Sequence, residues 1–172
     1  EVQVQLLWKK YANNRGSEET MTVIAWDGKT LATDRMANDG SQKWESSKAW
    51  YGMSKEKEVV IITGVGLAHY IRQLSEWYQQ GMPDIKPDVP PSQAKLIVVK
   101  KDGLYELSYS VLIPNTAPYS AFGDGKEIAL GALAMGATAS QAVNISNEHS
   151  LQCGKGVELF TLHGGNDEQK EC

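Results

Sequence analysis

Residues 58–64 read Glu-Val-Val-Ile-Ile-Thr-Gly, an apolar, β-branched run with no polar alternation. A strand of that kind is buried on both faces, so the fold must supply a packed layer on each side of it. The rest of the chain can be read for where those layers come from. Residues 22–27 and 30–34 are short β-prone runs joined by Asp27-Gly28, the dipeptide that favours a two-residue hairpin because both turn positions want positive φ. After the apolar run, Gly64, Val65 and Gly66 read as a glycine-rich turn. Leu67, Ile71, Leu74 and Tyr78 then recur at helical spacing until Gly81 and Pro83, which predicts a helix with one apolar face.

Residues 83–93 hold four of the six prolines and read as a loop. A second hairpin is predicted from residues 95–100 and 104–109 around Lys101-Asp102-Gly103. A short strand and a Gly123-Asp124-Gly125 turn come next, leading to a helix from about Lys126 to Met135. Its residues are apolar almost all round, which predicts burial between layers. Thr138 and Gln141 have the spacing of a capping box at the start of a further helix, and residues 156–162 predict a last strand. Strands, helix, strands, two helices and a strand, with one strand buried on both faces, predict an α+β domain in which sheet packs on sheet and helices lie outside.

At 172 residues the chain suits one domain with a core that needs neither disulfide nor metal. The formal net charge is −4 with scattered Lys and Arg, which argues against a nucleic-acid face, since that requires a basic stripe. No apolar run approaches the roughly 20 residues that span a bilayer, and residues 1–20 lack a signal-peptide pattern, so the expected setting is cytoplasmic, without a membrane. Two cysteines, Cys153 and Cys172, with the second in a polar tail, are expected as reduced thiols. His149, Cys153 and His163 lack metal-site spacing, and no cofactor is called for.

The residues that can carry chemistry begin at Thr22, directly after Met21. A threonine hydroxyl is a poor nucleophile, but an N-terminal threonine brings its own base, an α-amino group with a pKa of about 7.7–8.0. A nearby lysine ammonium stabilises developing charge and tunes that amine, a carboxylate holds the lysine, and backbone N–H groups can receive an oxyanion. Thr22, Asp34, Lys48 and then Gly64 to Gly66 supply these parts in chain order.

The stretches TVIAWDGKTLATDRMA, SSKAWY, VVIITGVGLAHYIRQL, AFGDGKEIALGALAMGATASQAV and CGKGVELFTL resemble the proteasome β-subunit and HslV peptidase family of N-terminal nucleophile hydrolases, most of all its short bacterial and phage members. The resemblance covers residues 22–162. It implies a four-layer αββα sandwich, with Thr22 as nucleophile, Asp34 and Lys48 as its partners, and a backbone N–H of Val65 or Gly66 as oxyanion donor. It also implies peptide or protein substrates and self-assembly, often into rings. No residue here names a particular substrate or says whether a partner ATPase feeds the protein.

Two departures stand out. The family commonly has Gly-Ser-Gly where this chain has Gly123-Asp124-Gly125, and an aspartate followed three residues later by Ser-Gly where this chain has Ser150 and then Cys153-Gly154. Asp124, Ser150 and Cys153 are therefore the supporting candidates. A carboxylate at Asp124 can accept from the α-amino group or hold it protonated. A catalytically silent scaffold of the same fold and a small-molecule amidase are the alternative functions.

The expected organisation is a leader over residues 1–21, a single domain over 22–163 and a polar tail over 164–172. Glu18-Glu19 require purine-only codons just ahead of the Met21 codon, the composition and spacing of a ribosome-binding site. Residues 1–20 are on that reading an upstream extension of the reading frame. A Met21–Thr22 peptide bond would turn the base into a non-basic amide.

Overall fold

The computed structural model describes residues 19–38 and 41–162, with the backbone alone for Glu19 and Thr20. The leader before residue 19, the polar tail, His163 and Cys172 lie outside the described residues.

The elements in chain order are β1 (Glu19–Thr20), β2 (Val23–Trp26), β3 (Leu31–Asp34), β4 (Met36–Asn38), β5 (Lys43–Glu45), β6 (Ala49–Met53), β7 (Val59–Leu67), α1 (Ala68–Gln79), β8 (Ala94–Lys100), β9 (Gly103–Ser108), β10 (Val111–Asn115), β11 (Ser120–Gly123), α2 (Lys126–Ala134), α3 (Ala139–His149) and β12 (Val157–Phe160). They form a mixed α/β structure with several sheets. One sheet is antiparallel in the order β1-β7-β8-β9-β10 with β6 also on β7; another has the order β11-β2-β3-β12; β4 and β5 form a small ribbon.

Three buried clusters explain why these elements hold together. Ile24, Trp26, Leu31 and Phe160 of the smaller sheet meet Ala49, Ile61, Ile97, Val99 and Leu104 of the larger one. Val60, Ile62, Leu96 and Val98, on the other face of the larger sheet, pack against Ile71, Leu74, Trp77 and Tyr78 of α1. Val23, Ala25 and Ala32, on the other face of the smaller sheet, pack against Ala129, Leu133, Ala139, Ala142 and Val143 of α2 and α3. Val60, Ile61 and Ile62 are apolar in succession because Ile61 faces one cluster while Val60 and Ile62 face another.

The first hairpin forms, but its two central residues are Gly28, at φ +92°, and Lys29. Asp27 N–H donates to Thr30 O at 3.3 Å, and Asp27 Oδ1 accepts from Lys29 N–H and Thr30 N–H. The capping box forms as predicted. Gln141 N–H donates to Thr138 Oγ1 at 3.2 Å, and Thr138 N–H donates to Gln141 Oε1 at 2.9 Å.

Two expectations are corrected. Gly64, Val65 and Gly66 form no turn: β7 continues to Leu67 and pairs with β8 through Val65 opposite Lys95 and Gly66 opposite Ala94. Glycine is needed at residue 66 because its φ is +110° and a Cβ there would lie 2.1 Å from Gln93 O, a crowding that no side chain tolerates. The second correction concerns α2, which is not buried between layers. Only Ala129 and Leu133 are buried along it, Leu130 is partly exposed and Met135, just past its end, is 89 % exposed.

Among the described residues no helix is long and apolar enough to cross a membrane.

Candidate active site

Asp34 ends β3 with its side chain wholly buried and collects donors from four separate parts of the chain. Val23 N–H donates to Oδ1 at 3.0 Å, and Met36 N–H and Gly154 N–H donate to Oδ2 at 3.2 and 3.3 Å. The Lys48 ammonium donates to Oδ1 at 2.8 Å and to Oδ2 at 3.0 Å. Lys48 stands just before β6 with its side chain 6 % exposed. Burial pulls its pKa below the usual lysine range, and the Asp34 charge opposes that pull. A buried ion pair survives when further hydrogen bonds satisfy what the pair leaves open; here the three backbone N–H groups on Asp34 do so.

The same ammonium donates to the Met21 carbonyl at 2.5 Å. Thr22 follows, fully buried, and its Oγ1 has no hydrogen-bond partner among the described residues. An unsatisfied buried hydroxyl costs about 1–3 kcal/mol, so its persistence calls for an explanation such as catalysis. The Thr22 carbonyl is gripped from β11: Gly125 N–H donates to it at 3.4 Å, and Gly123, at φ +88°, approaches so closely that a Cβ would come within 2.1 Å of it.

β7 borders the site from the larger sheet. On the edge away from β8, β6 pairs with Val59 to Thr63, and further along the same edge β1 pairs Thr20 with Gly66 and Glu19 with Leu67. The peptide leading into Thr22 therefore lies as an added strand on the segment that carries Val65 and Gly66. Val65 and Phe122 both pack against the cluster between the sheets.

The structure thus brings Thr22, Asp34 and Lys48 together, with Gly66 paired two residues upstream of Thr22. Cys153 belongs to the same neighbourhood. It is 5 % exposed, its Sγ lies 2.8 Å from where a Gly125 Cβ would be, and its charge interactions run to Asp34, Lys48 and Asp124. Burial and then the Asp34 charge push its thiol up to about 11. Because the thiolate is the reactive form, iodoacetamide at pH 7.5 is expected to leave Cys153 unmodified in the folded protein and to label it fully in denaturant. Rapid labelling without denaturant, read by peptide mass spectrometry, would contradict this buried thiol. Ser150, which follows α3, accepts from Gln152 N–H at 3.2 Å and draws the Cys153 thiol down against its burial. Asp124 is exposed at the turn between β11 and α2, and its charge is felt at both Lys48 and Cys153.

The amide donors of Met36 and Gly154 were not legible as site residues, because only folding sets their backbones against Asp34. The Met21 carbonyl on Lys48 was equally invisible.

No family model matches the chain, and no curated protein sequence matches it either. Solved structures do. A Thiobacillus denitrificans BPH in complex with epoxomicin is 16% identical, with a TM-score of 0.56 over 81% of this chain and 96% of that one. Anbu, described as an ancestral beta-subunit, from Yersinia bercovieri is 12% identical, with a TM-score of 0.59 over 81% of this chain and 80% of that one. The helical assembly of the Anbu complex from Pseudomonas aeruginosa matches at 13% identity and a TM-score of 0.60, over 83% of this chain and 81% of that one.

These matches correct the resemblance drawn from the motifs. The neighbours are Anbu and BPH, proteasome-like but distinct, and not HslV or the proteasome β-subunit proper. At these identities the likeness carries the fold alone: the chain folds like Anbu and the Thiobacillus BPH.

Proposed function

We propose that the chain, with Thr22 at its N-terminus, is a threonine-type hydrolase of peptide bonds. The observation that carries this reading is the buried, unpartnered Thr22 hydroxyl beside the Lys48–Asp34 pair. In the proposed cycle Thr22 Oγ attacks an amide carbonyl while the α-amino group takes the hydroxyl proton. A backbone N–H of Val65 or Gly66 receives the oxyanion. The C–N bond breaks as the ammonium returns its proton to the leaving amine, leaving an ester on Thr22. Water, deprotonated by the same amine, then attacks the ester, and the C–Oγ bond breaks as the ammonium returns that proton to Thr22 Oγ, releasing the carboxylic acid. Lys48 holds positive charge close to Thr22, and Asp34 holds Lys48.

Support also comes from the Thiobacillus BPH solved with epoxomicin. The three clusters favour the finer reading of the fold as a four-layer αββα sandwich, spanning residues 22–163. The helical assembly of Pseudomonas Anbu supports self-association of this chain. A non-enzymatic scaffold is the second reading, favoured by Asp124 and Ser150 at the supporting positions.

The test uses chain that begins at Thr22. All the residues of the three clusters lie between Val23 and Leu162, so this chain keeps the whole core. A peptide epoxyketone offers one electrophile to a hydroxyl and another to a neighbouring amine. Intact mass spectrometry is expected to show one covalent adduct, absent from Thr22→Ala. Folded protein that forms no adduct would overturn the hydrolase reading and leave the scaffold.

A further inference from the structure

Between the two glycines that press on Thr22 stands a carboxylate. The pairing of β11 with β2 runs from Ser120 opposite Trp26 to Gly123 opposite Val23 and stops there, so Asp124 is the next residue, in the turn whose two glycines bear on the Thr22 carbonyl. Both neighbours hold this turn against Thr22, Gly125 by its hydrogen bond to the Thr22 carbonyl and Gly123 by its contact with the same group.

The charged and titratable groups that surround Thr22 come from four elements. Asp34 comes from β3, Lys48 from the segment before β6, Cys153 from the segment after α3, and Asp124 from the turn before α2. β7 adds Gly64, Val65 and Gly66, which carry no charge. Asp34 and Lys48 neutralise each other at 2.8 Å, and burial keeps the Cys153 thiol protonated. Asp124 is the charge left over: it is exposed, and no hydrogen bond ties it to another of the described residues.

We propose that Asp124 sets the pH at which this site becomes active, by pairing with the ammonium form of the Thr22 α-amino group. The inference rests on the reading of that amine as the base. Asp124 acts through the amine and is a positioning residue, not a catalytic one. A carboxylate beside an amine stabilises its protonated form and raises its pKa. The base must be neutral to accept the hydroxyl proton, so the acid limb of the pH–rate profile lies above that of a bare α-amino group. Solvent screens an exposed carboxylate, so the shift amounts to about half to one pH unit.

Two readouts on chain beginning at Thr22 separate this inference from the hydrolase reading. The first is kcat/KM against pH with a fluorogenic peptide amide. The second is the rate of Thr22 α-amine acylation by acetic anhydride against pH, read from the N-terminal peptide by mass spectrometry, which needs no hydrolysis. Asp124→Asn and Asp124→Ser are each expected to lower the midpoint of both curves by about half to one unit, and Asp124→Glu to keep it raised. Acylation midpoints that fall in a protein without hydrolysis would support the pairing and defeat the hydrolase reading. Midpoints that do not move in Asp124→Asn or Asp124→Ser would overturn the role of Asp124 whether or not the protein hydrolyses amides.

Discussion

Asp34→Ala is expected to destabilise the fold by about 3–5 kcal/mol, the cost of leaving one partner of a buried ion pair alone. The substitution strands the Lys48 ammonium and, in the same step, the N–H groups of Val23, Met36 and Gly154. Those amides belong to β2, to β4 and to the segment after α3, so Asp34 pins three pieces of backbone that have no sequence continuity. Adding Lys48→Met is expected to recover part of the loss, since it removes the stranded charge. The three amides remain unsatisfied, so recovery stays incomplete. Urea unfolding of the single and double variants measures both effects as shifts in midpoint at unchanged slope. A single variant within about 1 kcal/mol of wild type would show that the pair does not organise the site.

Retaining any residue ahead of Thr22 is expected to lower amide hydrolysis by about 10²–10⁴-fold, the usual contribution of a general base. Two obstacles arise together. A Met21–Thr22 peptide nitrogen is not basic, and the Met21 carbonyl occupies the Lys48 ammonium at 2.5 Å. Backbone pairing of Thr20 with Gly66 further fills the strand edge proposed to receive the oxyanion. The comparison is between chain beginning at Thr22 and chain retaining residues 1–21, with one fluorogenic peptide amide. Equal rates from both, with the N-termini verified by mass, would remove the amine from the mechanism.

The elements legible in the sequence were those whose cause is local. Gly28 turns the first hairpin with Asp27 accepting from the turn's own N–H groups, one residue on from the expected centre, Thr138 and Gln141 cap a helix with their own side chains, and the spacing of Ile71, Leu74 and Tyr78 marks the buried face of α1. Elements that depend on distant partners were misread or missed. Gly64, Val65 and Gly66 looked like a turn because glycine usually signals one, yet β8 comes close enough to keep them in the ladder. β10 escaped notice because it contains Pro114, which is tolerated since β10 is an edge strand with one side unpaired. The apolar surround of α2 was read as burial, although helix and sheet cover only one side of it.

The same division holds for the site. Residue types and order alone determined the candidates: a threonine able to become an N-terminus, one aspartate, one lysine and a glycine-bearing strand. Tertiary structure alone decided that Asp34 would lose all contact with water and take three backbone donors along with Lys48, and that Cys153 would pack beside Gly125. It also decided that Asp124 would stand in the turn whose two glycines press on the Thr22 carbonyl. Chemical identity is written at each position, whereas burial, and with it the strength of each charge, depends on which distant segments close over that position.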